Sequence, residues 1–190
     1  MAEQLYLSYR LRGFTAQNML KHYEKLLRTF PFSRLARQPS TFKVLAVDYN
    51  EPPVLEIPYP PPIPLDSVLA AAKDFENPDA CARLESWWDL WQFEADWKLA
   101  PSRVALSCFG PEFEHESDDH LTVEFGIDAH FLPQLGQPDS MRMVQSNIKS
   151  LLKLVHDLDD ALPVETRRLW SESGGNFSEK LHQALSAAVD

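Results

Sequence analysis

The segment Trp91-Gln92-Phe93-Glu94-Ala95-Asp96-Trp97-Lys98-Leu99 puts an apolar residue at every odd position and a polar one at every even position. A helix turns about 100° per residue and would scatter this pattern around its surface, whereas a strand sorts it onto two faces. The segment is expected to be a strand, with the composition of a core on the face that holds Trp91, Phe93 and Trp97. Pro101-Ser102 then turns the chain, residues 103–109 return as a second strand, and Gly110-Pro111 breaks it. Leu121, Val123, Phe125 and Ile127 alternate with polar residues or glycine in a third. Three sequential strands with short links imply an antiparallel meander at about 91–128.

Upstream of this meander, Leu5, Leu7, Tyr9 and Leu11 alternate with Tyr6, Ser8, Arg10 and Arg12, a second strand pattern that Gly13 interrupts. Met19, Leu20, Tyr23, Leu26, Leu27 and Phe30 then follow the spacing of one helical face, with Thr15 as a capping residue and Pro31 as the stop. Residues 41–49 read as a strand buried on both faces. The run 51–64 contains seven prolines and leaves room for no more than a short edge strand at 54–57. Residues 65–75 suggest a short helix, and residues 80–90 are ambiguous between strand and a further helical turn. Downstream, residues 140–162 carry a long apolar helical stripe. Pro163 ends it or marks a restart, and Gly174-Gly175 precedes a last helix bearing Phe177, Leu181, Leu185 and Ala188.

The expected order is β-α-β-(β)-α-β-β-β-α-α. It describes an α+β protein with a mixed or mostly antiparallel sheet of five to six strands, helices on one face and a long C-terminal helix. Its 190 residues suit one domain, 1–190, with a possible subdivision into a sheet-containing body, 1–133, and a C-terminal helical segment, 134–190.

The net charge of −10 is unevenly distributed. Residues 1–43 hold eight Lys and Arg against two acids, whereas residues 44–135 hold 18 acids against four bases. A protein that binds nucleic acid draws its affinity mainly from Lys and Arg on phosphates, so this balance argues against one. Two separated cysteines, Cys81 and Cys108, form no CxxC pair and read as reduced thiols. The chain shows neither a secretory leader pattern nor an apolar run long enough for a membrane span, and a cytoplasmic location with no membrane association is expected. No glycine-rich phosphate loop, GxSxG or HExxH is present.

Chemistry concentrates in Glu112-Phe113-Glu114-His115-Glu116-Ser117-Asp118-Asp119-His120. Read as an acidic surface, Glu112, Glu114, Glu116, Asp118 and Asp119 suit a non-enzymatic interaction module that engages a basic protein partner or another subunit, with no cofactor. Read as a site, His115 and His120 are candidate ligands of a divalent metal, since imidazole and carboxylate both coordinate cations. Trp87 and Trp88 would then line a pocket beside this loop, in a small-molecule binder or an enzyme. The plain alternative is a solvated acidic loop.

Overall fold

The structure is a computed structural model that describes residues 2–134 and 136–187. Its elements in chain order are β1 (Gln4–Leu11), α1 (Met19–Thr29), β2 (Ser40–Ala46), β3 (Leu55–Tyr59), α2 (Leu65–Asp74), β4 (Ala80–Phe93), β5 (Trp97–Phe109), β6 (Leu121–Ile127), α3 (Ser140–Ala161), β7 (Val164–Ser171) and α4 (Phe177–Ala187). The strands form one seven-stranded sheet in the order β3-β2-β4-β5-β6-β1-β7, every neighbouring pair antiparallel. The α+β class with a mostly antiparallel sheet is the architecture found.

Three details differ from the sequence reading. The alternating segment 91–99 is not one strand: Phe93 pairs with Trp97, and residues 94–96 turn the chain between β4 and β5. Pro101 and Ser102, expected to form the turn, lie within β5 opposite Asp89 and Trp88. Residues 80–90, left ambiguous, are the first and longer part of β4. The reason is that a two-residue period survives a tight hairpin whose arms pair residue for residue, so alternation alone does not mark where the chain reverses. The third difference is β7, which follows α3 where only helices were expected. It pairs along β1 from Leu5–Ser171 to Leu11–Val164. Its sequence, Val-Glu-Thr-Arg-Arg-Leu-Trp-Ser, carries four consecutive exposed residues with no apolar alternation, as befits an edge strand with little to bury.

The core follows from strand parity. Leu5, Leu7 and Tyr9 of β1, Leu84, Trp88 and Leu90 of β4, Val104, Leu106 and Cys108 of β5, and Leu121, Val123 and Phe125 of β6 join one buried cluster. Tyr23, Leu26 and Leu27 of α1, Val68 of α2, Leu151, Leu154 and Leu158 of α3 and Phe177 of α4 belong to the same cluster. Burial of this apolar surface is the main stabilising term. The final helix is held through Phe177 and through Lys180, whose ammonium donates to Glu3 (3.2 Å) and to buried Asp128. Of the other residues assigned to that helix from sequence, Leu181 packs against the core, while the side chains of Leu185 and Ala188 lie outside the described residues.

The β4–β5 hairpin outruns its neighbours. β2 pairs with β4 only as far as Glu85, and β6 pairs with β5 only from Ala105, so the ladder from Ser86–Val104 to Phe93–Trp97 is a two-stranded ribbon. Asn147 of α3 clamps it: Oδ1 accepts from Trp91 N–H (2.8 Å), and Nδ2 donates to the carbonyls of Trp91 (2.9 Å) and His130 (2.8 Å). With 1% of its surface exposed, Asn147 makes these bonds out of water, and its truncation strands three backbone groups. Asn147→Ala is expected to lower stability by about 2–4 kcal/mol. A urea titration in which the unfolding midpoint falls with unchanged slope would bear this out, and a loss below about 1 kcal/mol would contradict it.

Candidate functional site

The strand residues that alternate with the core form the opposite sheet face. There lie Tyr6, Ser8 and Arg10 of β1, Lys43 and Leu45 of β2, Arg83 and Glu85 of β4, Ser107 and Phe109 of β5, Thr122 and Glu124 of β6, and Arg168 and Trp170 of β7. Together with two loops, 47–53 and 110–120, they line a cleft of about 1530 Å³.

The floor is a charged network built across strands. Arg83 donates to Glu124 and to Ser107 Oγ (3.3 Å), and its Nε lies 3.5 Å from Glu85. Lys43 completes the set with a 2.9 Å bond to Glu85. Side-chain exposures of 20% for Arg83 and 22% for Glu124 put this pair largely out of water, where losing one partner is far costlier than at an open surface. At one side Tyr6 stacks on Trp170 (4.4 Å between ring centres), whose Nε1–H donates to Ser8 Oγ at 2.9 Å, and Arg168 sits 5.5 Å from the Trp170 ring centre.

The acidic loop is anchored rather than solvated throughout. Gly110 opens it where no other residue fits: a Cβ there would stand 2.2 Å from the Pro78 carbonyl oxygen. Phe113 then turns inward, joining Leu45, Cys81 and Phe109 in a second small apolar cluster. The Glu114 N–H donates to the Val47 carbonyl (2.8 Å), tying the two loops together. Val47 is held at φ 69°, a left-handed conformation that costs a β-branched residue about 1–3 kcal/mol and persists because both of its peptide groups are bonded, the N–H to the Asp79 carbonyl at 2.9 Å. At the far end buried Asp119 accepts from Arg168 (3.0 Å), while Asp118 lies 3.9 Å from Arg10.

The two histidines are fixed by stacking. His115 lies on Phe109 (4.2 Å, 11°) with Nδ1 at 3.3 Å from Ser117 Oγ, and His120 lies on Phe14 (4.1 Å, 8°). The His120 Nδ1 accepts from the Leu11 N–H at 2.9 Å, which makes Nδ1 the unprotonated nitrogen of the neutral ring. Burial holds both imidazoles below their ordinary value; Arg10 adds to this at His120, while Asp119 and Asp118 oppose it at His115. Among the described residues, no three His, Cys, Asp or Glu side chains gather as a ligand set for a metal ion.

Of the residues singled out from sequence, the cleft brings together Glu114, His115, Glu116, Asp118, Asp119 and His120. Glu112 is exposed outside its lining. The tryptophan pair is split by strand parity: Trp88 is 1% exposed among Phe30, Phe125 and Phe131 in the core, whereas Trp87 lies on the opposite face under the Arg103 guanidinium. Both thiols are buried, and burial pushes Cys81 up to about 12 and Cys108 well above its ordinary value, so neither supplies a thiolate nucleophile at neutral pH.

Sequence reasoning missed the floor. Arg83, Glu85, Lys43 and Glu124 come from three separate strands, and only the register brings them together. Phe113 could have been found, as the one large apolar residue within an acidic run. Set against known proteins, the chain matches no family model, no curated sequence and no solved structure, so the functional reading rests on the cleft itself. Among the described residues, no helix is long and apolar enough to cross a membrane.

The His120 geometry has a pH consequence. A folded-state value below the unfolded one means that the unfolded chain takes up the proton first, so the contribution is present above the unfolded value of about 6.5 and is lost as pH falls through the lowered folded value. His120→Asn, which keeps an acceptor for the Leu11 N–H but does not titrate, is expected to flatten the fall in unfolding temperature between about pH 7 and pH 5. Thermal melts of both proteins across that range decide the matter, and parallel pH profiles would refute the assignment.

Proposed function

We propose that this protein is a non-enzymatic interaction module that docks a basic segment of a protein partner in the acid-rimmed cleft, on the sheet face opposite the core cluster. The observation that carries this reading is the charge balance of the cleft. Eight carboxylates and four basic side chains line it. Each of the four bases already has an acidic partner: Arg10 with Asp118, Lys43 with Glu85, Arg83 with Glu124 and Arg168 with Asp119. Asp48, Glu51, Glu114 and Glu116 remain without an ion-pair partner among the described residues, and Glu112 stands beside them at the surface.

Carboxylates held in pinned loops present their charge at little further entropic cost, and a field of one sign both steers an oppositely charged partner and rejects acidic ones. Aromatic rings in the same cleft, Tyr49 and Trp170, add flat faces on which Lys and Arg side chains pack. The cleft also exceeds the ~300–1,000 Å³ of sites that enclose a small molecule, which favours a macromolecular occupant. The arrangement offers no activated nucleophile: both cysteines are buried, and the histidines are engaged in stacking and hydrogen bonds.

The test is binding of a fluorescent Lys/Arg-rich peptide, with an acidic peptide of equal length as control. The basic peptide is expected to bind with an affinity that falls as salt rises, and Glu114→Lys with Glu116→Lys is expected to weaken it by at least about tenfold without lowering the unfolding temperature. Equal binding by the wild type and the double variant, or equal binding of both peptides, would overturn the proposal.

A further inference from the structure

The hairpin ribbon continues the cleft along the same side of the sheet. The β4–β5 ladder runs from Cys81–Phe109 to Phe93–Trp97 without a register shift, so Arg83, Glu85, Trp87, Asp89, Trp91 and Phe93 share a face. Opposite them on that face stand Ser107, Arg103, Leu99 and Trp97. The charged floor therefore gives way, about three residues along the strands, to an aromatic row. Trp87, Trp91, Phe93 and Trp97 are each half-buried without joining the apolar core cluster, and Leu99 is 45% exposed. This reverses the expectation from sequence, in which Trp91, Phe93 and Trp97 carried a core face.

The β4 edge of the ribbon is held by hydrogen bonds to other parts of the chain. Asn147 occupies both backbone groups of Trp91, the Ser33 N–H donates to the Trp87 carbonyl (2.8 Å), and Asp89 accepts from Ser33 Oγ and the Arg34 N–H. On the other strand Pro101 offers no N–H. Trp97 is fixed in turn by its Nε1–H on the Pro138 carbonyl (2.6 Å). What remains open is the aromatic face, and rigid aromatic side chains on a fixed frame bind at low entropic cost.

We infer that the partner segment is bipartite, with basic residues seated in the cleft and apolar residues laid along Trp87, Trp91 and Leu99 on the hairpin. This rests on the docking function proposed above. Charge complementarity assigns the basic half: four carboxylates without an ion-pair partner among the described residues rim one end of the face, whereas at the hairpin end the rings and Leu99 are joined only by Arg103 over Trp87 and by Asp89, whose carboxylate Ser33 and Arg34 already occupy. Length assigns an extended polypeptide. From Arg83 to Phe93 the face runs about 30 Å, the reach of roughly ten extended residues. Arg103 over Trp87 marks the boundary between the two halves.

Three peptides test this by fluorescence anisotropy: a Lys/Arg block alone, the same block extended by Leu and Phe, and the Leu/Phe block joined to an uncharged polar one. Against wild-type protein the extended peptide is expected to bind at least about tenfold tighter than the basic block alone, and Leu99→Asp is expected to remove that gain while leaving the basic block's affinity unchanged. If the basic block binds but the extension adds nothing, or its gain survives Leu99→Asp, the bipartite partner is refuted and the docking cleft stands. If neither peptide that carries the basic block binds, both fall. Sedimentation of the protein alone covers the remaining occupant: a wild-type dimer that Leu99→Asp dissociates would assign the hairpin to a second copy and overturn the inference.

Discussion

A one-residue slip of the β4–β5 ladder would carry Arg83, Glu85 and Trp87 into the helix-packed core and push Leu84, Trp88 and Leu90 out onto the cleft. That penalty is what the rest of the structure depends on. Desolvating an arginine and a glutamate without partners costs several kcal/mol each, and exposing three large apolar side chains forfeits about 1.5–3 kcal/mol apiece. The hairpin is thus locked by the difference between its two faces. Once locked, it sets the parity of its neighbours, since Phe42 must lie opposite Leu84 on one flank and Val123 opposite Leu106 on the other.

The same constraint explains why the polar face carries a network rather than scattered charges. Antiparallel pairing sets side chains about 5 Å apart across neighbouring strands, within reach of Arg and Lys. Lys43 is directly opposite Arg83, a like-charge pair that would repel, and Glu85 lies within reach of both cations. Glu124, two strands away from Arg83 on β6, holds its other side. The floor is neutral as a unit because each cation has its own acid, and this leaves the rim carboxylates as the cleft's net charge. Replacing floor residues and replacing rim residues are therefore different experiments. The first disturbs the sheet; the second alters only what the sheet presents.

Much of this is legible in the amino-acid sequence alone. The alternations at 5–11 and 121–127 and the stripes at 19–30 and 140–162 each became the element they indicated, because a strand or helix with one wet face must repeat at its own period. What was not legible depends on pairing. The hairpin turn at 94–96 is hidden because Phe93 and Trp97, four residues apart, keep the same parity on both sides of the reversal. β7 is hidden because an edge strand buries so little that Glu165, Thr166, Arg167 and Arg168 read as polar linker. The acidic run was found, yet its anchoring was not, because Phe113 meets Leu45 and Phe109 only after β2 and β5 have been brought to one sheet.

The tryptophans show most directly how a local signal loses to register. Trp87 and Trp88 are adjacent in sequence and alike in chemistry, and no composition rule separates them. Within a strand they point in opposite directions, and which one is buried depends on the parity of residues far along the same ladder, with Leu84 and Leu90 taking Trp88 into the core. Trp91 and Phe93 follow Trp87 by the same count and emerge on the side of the cleft. Their alternation is as strict as that of a core strand, because alternation records that two faces differ and not which of them faces water. On this ribbon both faces are apolar enough to pack: one is filled by Phe30, Phe125 and Phe131, and the other leaves its rings half-buried and Leu99 exposed. That half-exposed aromatic face is held by Asn147 and set beside carboxylates without an ion-pair partner among the described residues, the two features on which the proposed docking function rests.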